Sequence, residues 1–149
     1  MAARFHFRLE PLRKLREALE RDSERSLARA IQAEQAARDY LDALAAERLA
    51  LFDARRLATG QHLDLELWRA GERYLVVLER RQIEGYERLR AAAAQVAAAR
   101  EALVVAHRNH LMLVRLKERR ALLHAQEQLL REALELDELA VLRHHHQSA

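Results

Sequence analysis

His107 and His110 stand three residues apart, a spacing that could carry metal chemistry. On a helix, residues three apart share a face, so two imidazoles could ligate one ion. No carboxylate or third ligand has a matching spacing nearby, and the pair reads as surface or seam histidines. His144, His145 and His146 follow the last helical pattern. They read as a solvated tail or as helix-end cations favoured by the dipole, with adventitious metal binding and no dedicated site.

Other chemistry is missing in kind. The chain has no glycine-rich phosphate loop, no Ser-His-Asp context and no HExxH pair. It has no cysteine, hence no disulfide framework or thiolate chemistry, a composition that fits a reducing cytosol. Catalysis needs groups held at fixed distances in a water-poor pocket. A seam between two helices is expected to offer no pocket of the ~300 Å³ that ligands favour. The chain reads as no enzyme, with no catalytic, metal or cofactor-binding residues. Trp68, Tyr74 and Leu78 stand out in a chain with 5% aromatics. Either they cap a hairpin by packing on Leu51 and Phe52, or they form a partner-facing patch of the kind aromatics favour.

The elements that must position these residues are helices. Pro11 is the only proline, and the three glycines are Gly60, Gly71 and Gly85. Proline and glycine end helices, through a missing N–H and a high backbone entropy. Residues 12–58 and 74–143 are almost free of both and rich in Ala, Leu, Arg, Glu and Gln, the strong helix formers. The fold class is therefore all-α, a long antiparallel two-helix coiled-coil hairpin with a short helical or irregular tip. One domain of 149 residues is expected. Helix one covers about 11–58, the tip 59–73, helix two 74–143, and a flexible tail 144–149.

Phe5, Phe7 and Leu9 alternate with His6 and Arg8, which gives an extended lead-in with Pro11 in the first helical turn. Leu12, Leu15 and Leu19 open the helical stripe, which Asp22, Ser23 and Ser26 dilute. It resumes with Ala30, Ala33, Ala37, Tyr40, Leu44 and Leu51, an a/d-type seam. At the turn, Thr59-Gly60-Gln61-His62, Gly60 is expected at φ > 0 as a C-terminal cap. Asp64 is a candidate N-cap for a short helix, unless helix two starts there and carries Gly71 at about 1 kcal/mol. In helix two, one register runs Leu75, Gln82, Leu89, Val96, Leu103, His110. The other runs Leu78, Gly85, Ala92, Ala99, Ala106, Leu113. The phase slips across 114–122, and a second stripe follows: Leu122, Leu129, Ala133, Leu136, Ala140. Helix two outruns helix one, so residues 125–143 need cover. The favoured cover is another protein, the alternatives being the lead-in or a second copy.

There are 26 basic and 23 acidic residues, a net charge of +3. Glu and Asp interleave with Arg almost everywhere, whereas a nucleic-acid footprint gathers cations on one face. A solvated, balanced surface is the favoured reading, with no nucleic acid as partner. No apolar h-region opens the chain, so no secretory signal is expected. No apolar run approaches the ~20 residues that span a bilayer.

The opening Phe5-His6-Phe7-Arg8-Leu9-Glu10-Pro11-Leu12 with Arg16 resembles the F-x-F-x-L-x-x-L-x-x-x-R start of the FliJ family of flagellar proteins. Lys117-Glu118-Arg119-Arg120, the ending Leu136-Asp137-Glu138-Leu139-Ala140 with Arg143, and Trp68, Tyr74 and Leu78 are similar to that family too. The resemblance implies a cytoplasmic stalk and escort protein of the type III export apparatus, at the cytoplasmic face of the membrane and touching it only through partners. Those partners are the ring of the export ATPase FliI, the cytoplasmic domain of the gate FlhA, and export chaperones, with no cofactor. On this chain the ATPase-facing set is Phe5, Phe7, Leu9, Arg13, Arg16, Arg115, Lys117, Arg119 and Arg120. The gate-facing set at the tip is Tyr40, Leu44, Leu51, Trp68, Tyr74 and Leu78. The chain departs from some members in having Arg81 and Gly85 where a further contact surface lies. YscO-type injectisome stalks are close relatives and remain an alternative, and behind them stand a nucleic-acid-binding or a purely structural coiled coil.

Overall fold

A computed structural model describes residues 3–60, 62 and 64–148. It contains two helices, α1 (Glu10–Ala58) and α2 (Leu65–Ser148), and no strand among the described residues. The fold class is the expected one, an all-α antiparallel helical hairpin. Within the turn signal, Gln61 lies outside the described residues, as do Met1, Ala2, Leu63 and Ala149.

The start of α1 follows its sequence. The Glu10 N–H donates to the Phe7 carbonyl at 3.1 Å and the Arg13 N–H to that of Leu9 at 2.9 Å. Pro11 falls in the first turn, where its missing N–H costs nothing. The start of α2 corrects the expected tip. Asp64 Oδ1 accepts from the Glu66 N–H at 3.0 Å and from that of Leu67 at 3.4 Å, so the cap begins one continuous helix. Residues 65–73 are helical, and so are 144–148, expected as a tail. Gly71 sits inside that helix, and one glycine is not enough to break it. Gly60 is not at positive φ. At the end of α1 the Thr59 hydroxyl donates instead to the Arg56 carbonyl at 2.6 Å, which satisfies one of the last carbonyls without a left-handed residue.

The helices contribute to two compact units: Met1–Arg21 with Val105–Ala149, and Asp22–Val104. In the second unit the seam is the expected pair of registers. Leu44, Leu78 and Val96 are buried, at 6%, 2% and 4% exposure. Leu75, Leu89, Ala92, Ala99 and Leu103 are half-buried beside them. Gly85 is buried as well, and a Cβ there would come within 2.7 Å of Leu41 Cδ2. This glycine permits close helix approach, so it is seam and not contact surface. Ala33 lies outside the seam, and Tyr40 lies at its edge, 38% exposed but with its ring beside Gly85.

The first unit departs from expectation. Leu12, Leu15 and Leu19 are exposed, while Arg13, Arg16, Glu17 and Glu20 are half-buried. Following the three-four period back along α1 from Leu44 and Ala37 lands on these charged residues. Glu20 is held there by His107 and His110 of α2, while Arg13 and Glu17 pair with each other along α1. The expected second stripe is displaced too. Val114, Lys117, Ala121, His124 and Gln128 are half-buried, whereas Leu122, Leu129, Ala133, Leu136 and Ala140 are exposed.

Candidate functional site

In the unit of residues 22–104, the start of α2 builds a groove against the end of α1. Its volume is about 500 Å³, and Leu51, Arg55, Leu67, Trp68, Gly71 and Tyr74 line it. The expectation that two helices leave no such space is overturned, because α2 is helical from Leu65 and its first turns stand beside α1. Arg55 organises the groove. Its guanidinium lies 4.3 Å from the Trp68 ring centroid. It also pairs with Glu72 at 2.7 Å and donates to the Trp68 carbonyl at 3.3 Å. Tyr74 donates its hydroxyl to Glu47 at 2.6 Å, and that hydrogen bond to a carboxylate, aided by desolvation, raises the phenol's pKa.

The predicted tip set therefore divides. Tyr40, Trp68 and Tyr74 are 36–40% exposed and Leu51 is half-buried on the groove wall. Leu44 and Leu78 are core, and a correction is needed: they hold the surface and cannot touch a partner. Phe52 lies under Arg48, 5.7 Å from its ring centroid, while Trp68 is covered by Arg55. Arginines, and not a Trp68–Phe52 stack, shield the aromatics.

In the unit formed by residues 1–21 and 105–149, the lead-in folds onto α2. Phe7 is only 5% exposed, and Phe5 tilts against His124 with centroids 5.6 Å apart. Phe7 is thus an anchor, corrected from the contact set, while Phe5 and Leu9 are half-buried. Glu10 is the polar centre that the sequence reading missed. It accepts from Arg13 at 2.7 Å and from Lys117 at 2.9 Å. The Arg13 hydrogen bond first, then that from Lys117, lowers its carboxyl to about 2. Arg13 and Lys117 are therefore already engaged within the unit. Arg115, Arg119 and Arg120 are exposed, with Arg4, Arg8 and Lys14 from the other end of the chain, and Arg16 is half-buried. None of these seven enters an ion pair among the described residues. A groove of about 490 Å³ lies among Arg4, Phe5, Arg119, Arg120 and His124.

The histidine pair finds its carboxylate on the other helix. Glu20 bridges both rings, with one oxygen 2.6 Å from His107 Nδ1 and the other against His110 Nδ1. The His107 hydrogen bond, with that of His110, holds the Glu20 carboxyl below its ordinary range against the opposing effect of desolvation. Spacing along one helix could not show this, because residues 20 and 107 meet only through the antiparallel pairing. Among the described residues no group of three such side chains is arranged to hold a metal ion.

These features define the class: an antiparallel two-helix hairpin whose surfaces offer an aromatic groove in one unit and uncommitted arginines in the other. The FliJ family model, described as "Flagellar FliJ protein", matches residues 5–149. The chain belongs to this family and is a component of the flagellar export apparatus. Neither the comparison with curated proteins nor that with solved structures gives a match. Among the described residues, no helix is long and apolar enough to cross a membrane.

Proposed function

We propose that this chain is the stalk of the flagellar export machine, binding the FliI ring through the unit that holds both chain ends. The observation that supports it is the gathering of Arg4, Arg8, Lys14, Arg115, Arg119 and Arg120, exposed and without an ion pair among the described residues, on one unit. Cations without internal partners suit acidic loops inside a ring, where they steer encounter and fix orientation. The stalk then acts by contacting some conformations of the ring better than others, which shifts their populations. The aromatic groove of the other unit is the surface for the FlhA cytoplasmic domain and for escorted chaperones, with Trp68, Tyr74, Tyr40 and Leu51 as contacts. The protein then works at the cytoplasmic face of the membrane, held there by its partners.

The test is ATP hydrolysis by FliI with the full chain added. Reversing Arg115, Arg119 and Arg120 together to Glu should remove most of the stimulation without loss of helix content. Undiminished stimulation by that variant overturns the reading.

A further inference from the structure

Beyond Gln128 every described residue of α2 is exposed, yet the helix continues to Ser148. The lead-in stacks at His124 and borders Glu127, so it does not supply the cover considered for it above. Leu134, Leu136, Leu139, Val141 and Leu142 are 54–67% exposed here. Single exposed leucines are ordinary, but Leu136, Leu139 and Leu142 recur three apart on one face, which gives this stretch an apolar stripe with nothing against it.

The charges on the same stretch are segregated along the axis. Residues 132–138 carry Glu132, Glu135, Asp137 and Glu138 and no cation. Residues 139–148 carry Arg143 and three histidines and no carboxylate. A parallel copy would set like charge against like. An antiparallel copy sets the acidic block against Arg143 and the histidines and brings Leu134–Leu142 clusters together about a two-fold axis near Leu139. We propose that this segment is a self-association surface, pairing antiparallel with a second copy of the chain. Such an interface is isologous, so each charge contact is made twice. The twenty residues 129–148 of the helix are ~30 Å long. A helix pair of that length covers on the order of 1,000 Å², near the lower bound for a specific interface. The dimer is therefore weak and reversible, and it shields the leucines of a chain not engaged with its partners. This inference is independent of the ATPase reading.

Sedimentation equilibrium of the full chain tests it. A monomer–dimer equilibrium in the micromolar range is expected. Leu136→Glu should abolish it. Glu135→Lys and Arg143→Glu should each weaken it roughly tenfold, because each sets like charges together twice. Both changes in one chain should return the dissociation constant to within about threefold of the original, since the swap restores opposite charges. Circular dichroism reports that the helix persists in each variant. A chain monomeric to about 500 µM, a dimer indifferent to Leu136→Glu or to the single charge changes, or a double variant weaker than either single one overturns the proposal.

Discussion

Arg55 covers the Trp68 ring at 4.3 Å, and it can do so because Gly71, one turn further along α2, offers no side chain. A Cβ at position 71 would stand 2.9 Å from Arg55 Nη2. The arginine thus holds three things at once: an indole face, the Glu72 carboxylate and the Trp68 carbonyl. It comes from α1 and they belong to α2, so it ties the first turns of α2 to α1 where the groove lies.

Replacing Arg55 by Ala should loosen that tie. An exposed cation–π contact is worth about 0.5–1 kcal/mol and a surface ion pair somewhat less, so a loss of about 1 kcal/mol in urea unfolding is expected. Trp68 is the only tryptophan, so its fluorescence reports the groove alone. The emission should shift to the red and quenching by acrylamide should increase. An unchanged spectrum would mean that Arg55 does not shield the ring in solution.

The two helical glycines should respond oppositely to alanine. At Gly71 the obstructing atom is the end of a flexible arginine, which can shift by a few tenths of an ångström and stay over the indole, so helix propensity returns up to ~1 kcal/mol. At Gly85 the methyl meets Leu41 Cδ2 at 2.7 Å and Tyr40 Cδ1 at 3.4 Å in the seam. Overpacking there costs about 1–3 kcal/mol, more than propensity gives back. Gly71→Ala should raise the midpoint of chemical unfolding and Gly85→Ala should lower it. A gain at both would show that the seam yields without strain.

The same contrast explains how much was legible in the sequence. The α2 registers through Leu78, Gly85, Val96 and Ala99 were readable, because an uninterrupted three-four period in apolar residues has one burial solution. The seam near Leu12 was not, because its half-buried positions are Arg13, Glu17 and Glu20. Apolar periodicity points to the wrong face when ion pairs fill the seam. Glu10 and Glu20 draw their value from Lys117, His107 and His110, about a hundred residues away in the chain. Trp68 and Tyr74 stand out in the sequence as aromatics beyond the turn and line one groove, but the arginine that shields the tryptophan comes from α1 and leaves no mark in the spacing of α2. Heptad grammar also set Leu122 and Leu129 in a stripe, although α1 starts too late to cover its far end.

Acid should weaken the unit that contains Glu10 and Glu20. Both carboxyls are depressed in the folded chain, Glu10 to about 2. A depressed carboxyl contributes stability above its unfolded pKa, 4.5 for Glu10, and loses that contribution as pH falls through the folded value. For Glu10 the window therefore runs from about pH 4.5 down to about 2. Protection of the amides at the start of α1 against hydrogen exchange, corrected for the intrinsic rate at each pH, should fall across this window. In Glu10→Gln the exchange should already be fast at neutral pH and depend less on acid. Equal acid sensitivity in the two proteins would assign the transition to other carboxyls.

Burial ranks the leucines in an order that the sequence alone does not give. Leu78 is 2% exposed and Leu15 54%, although both stand in a three-four pattern. Leu78→Ala removes a packed side chain from a thin seam and should cost about 2–4 kcal/mol, the lower part of the range for core leucines. A two-helix layer has few neighbours to lose and relaxes more easily than a thick core. Leu15→Ala should lie within about 0.5 kcal/mol of the parent, as surface changes do. Guanidinium unfolding of the two variants, read by circular dichroism, decides the matter. Comparable losses at both positions would place Leu15 in the seam and return the half-buried Arg13 and Glu17 to solvent.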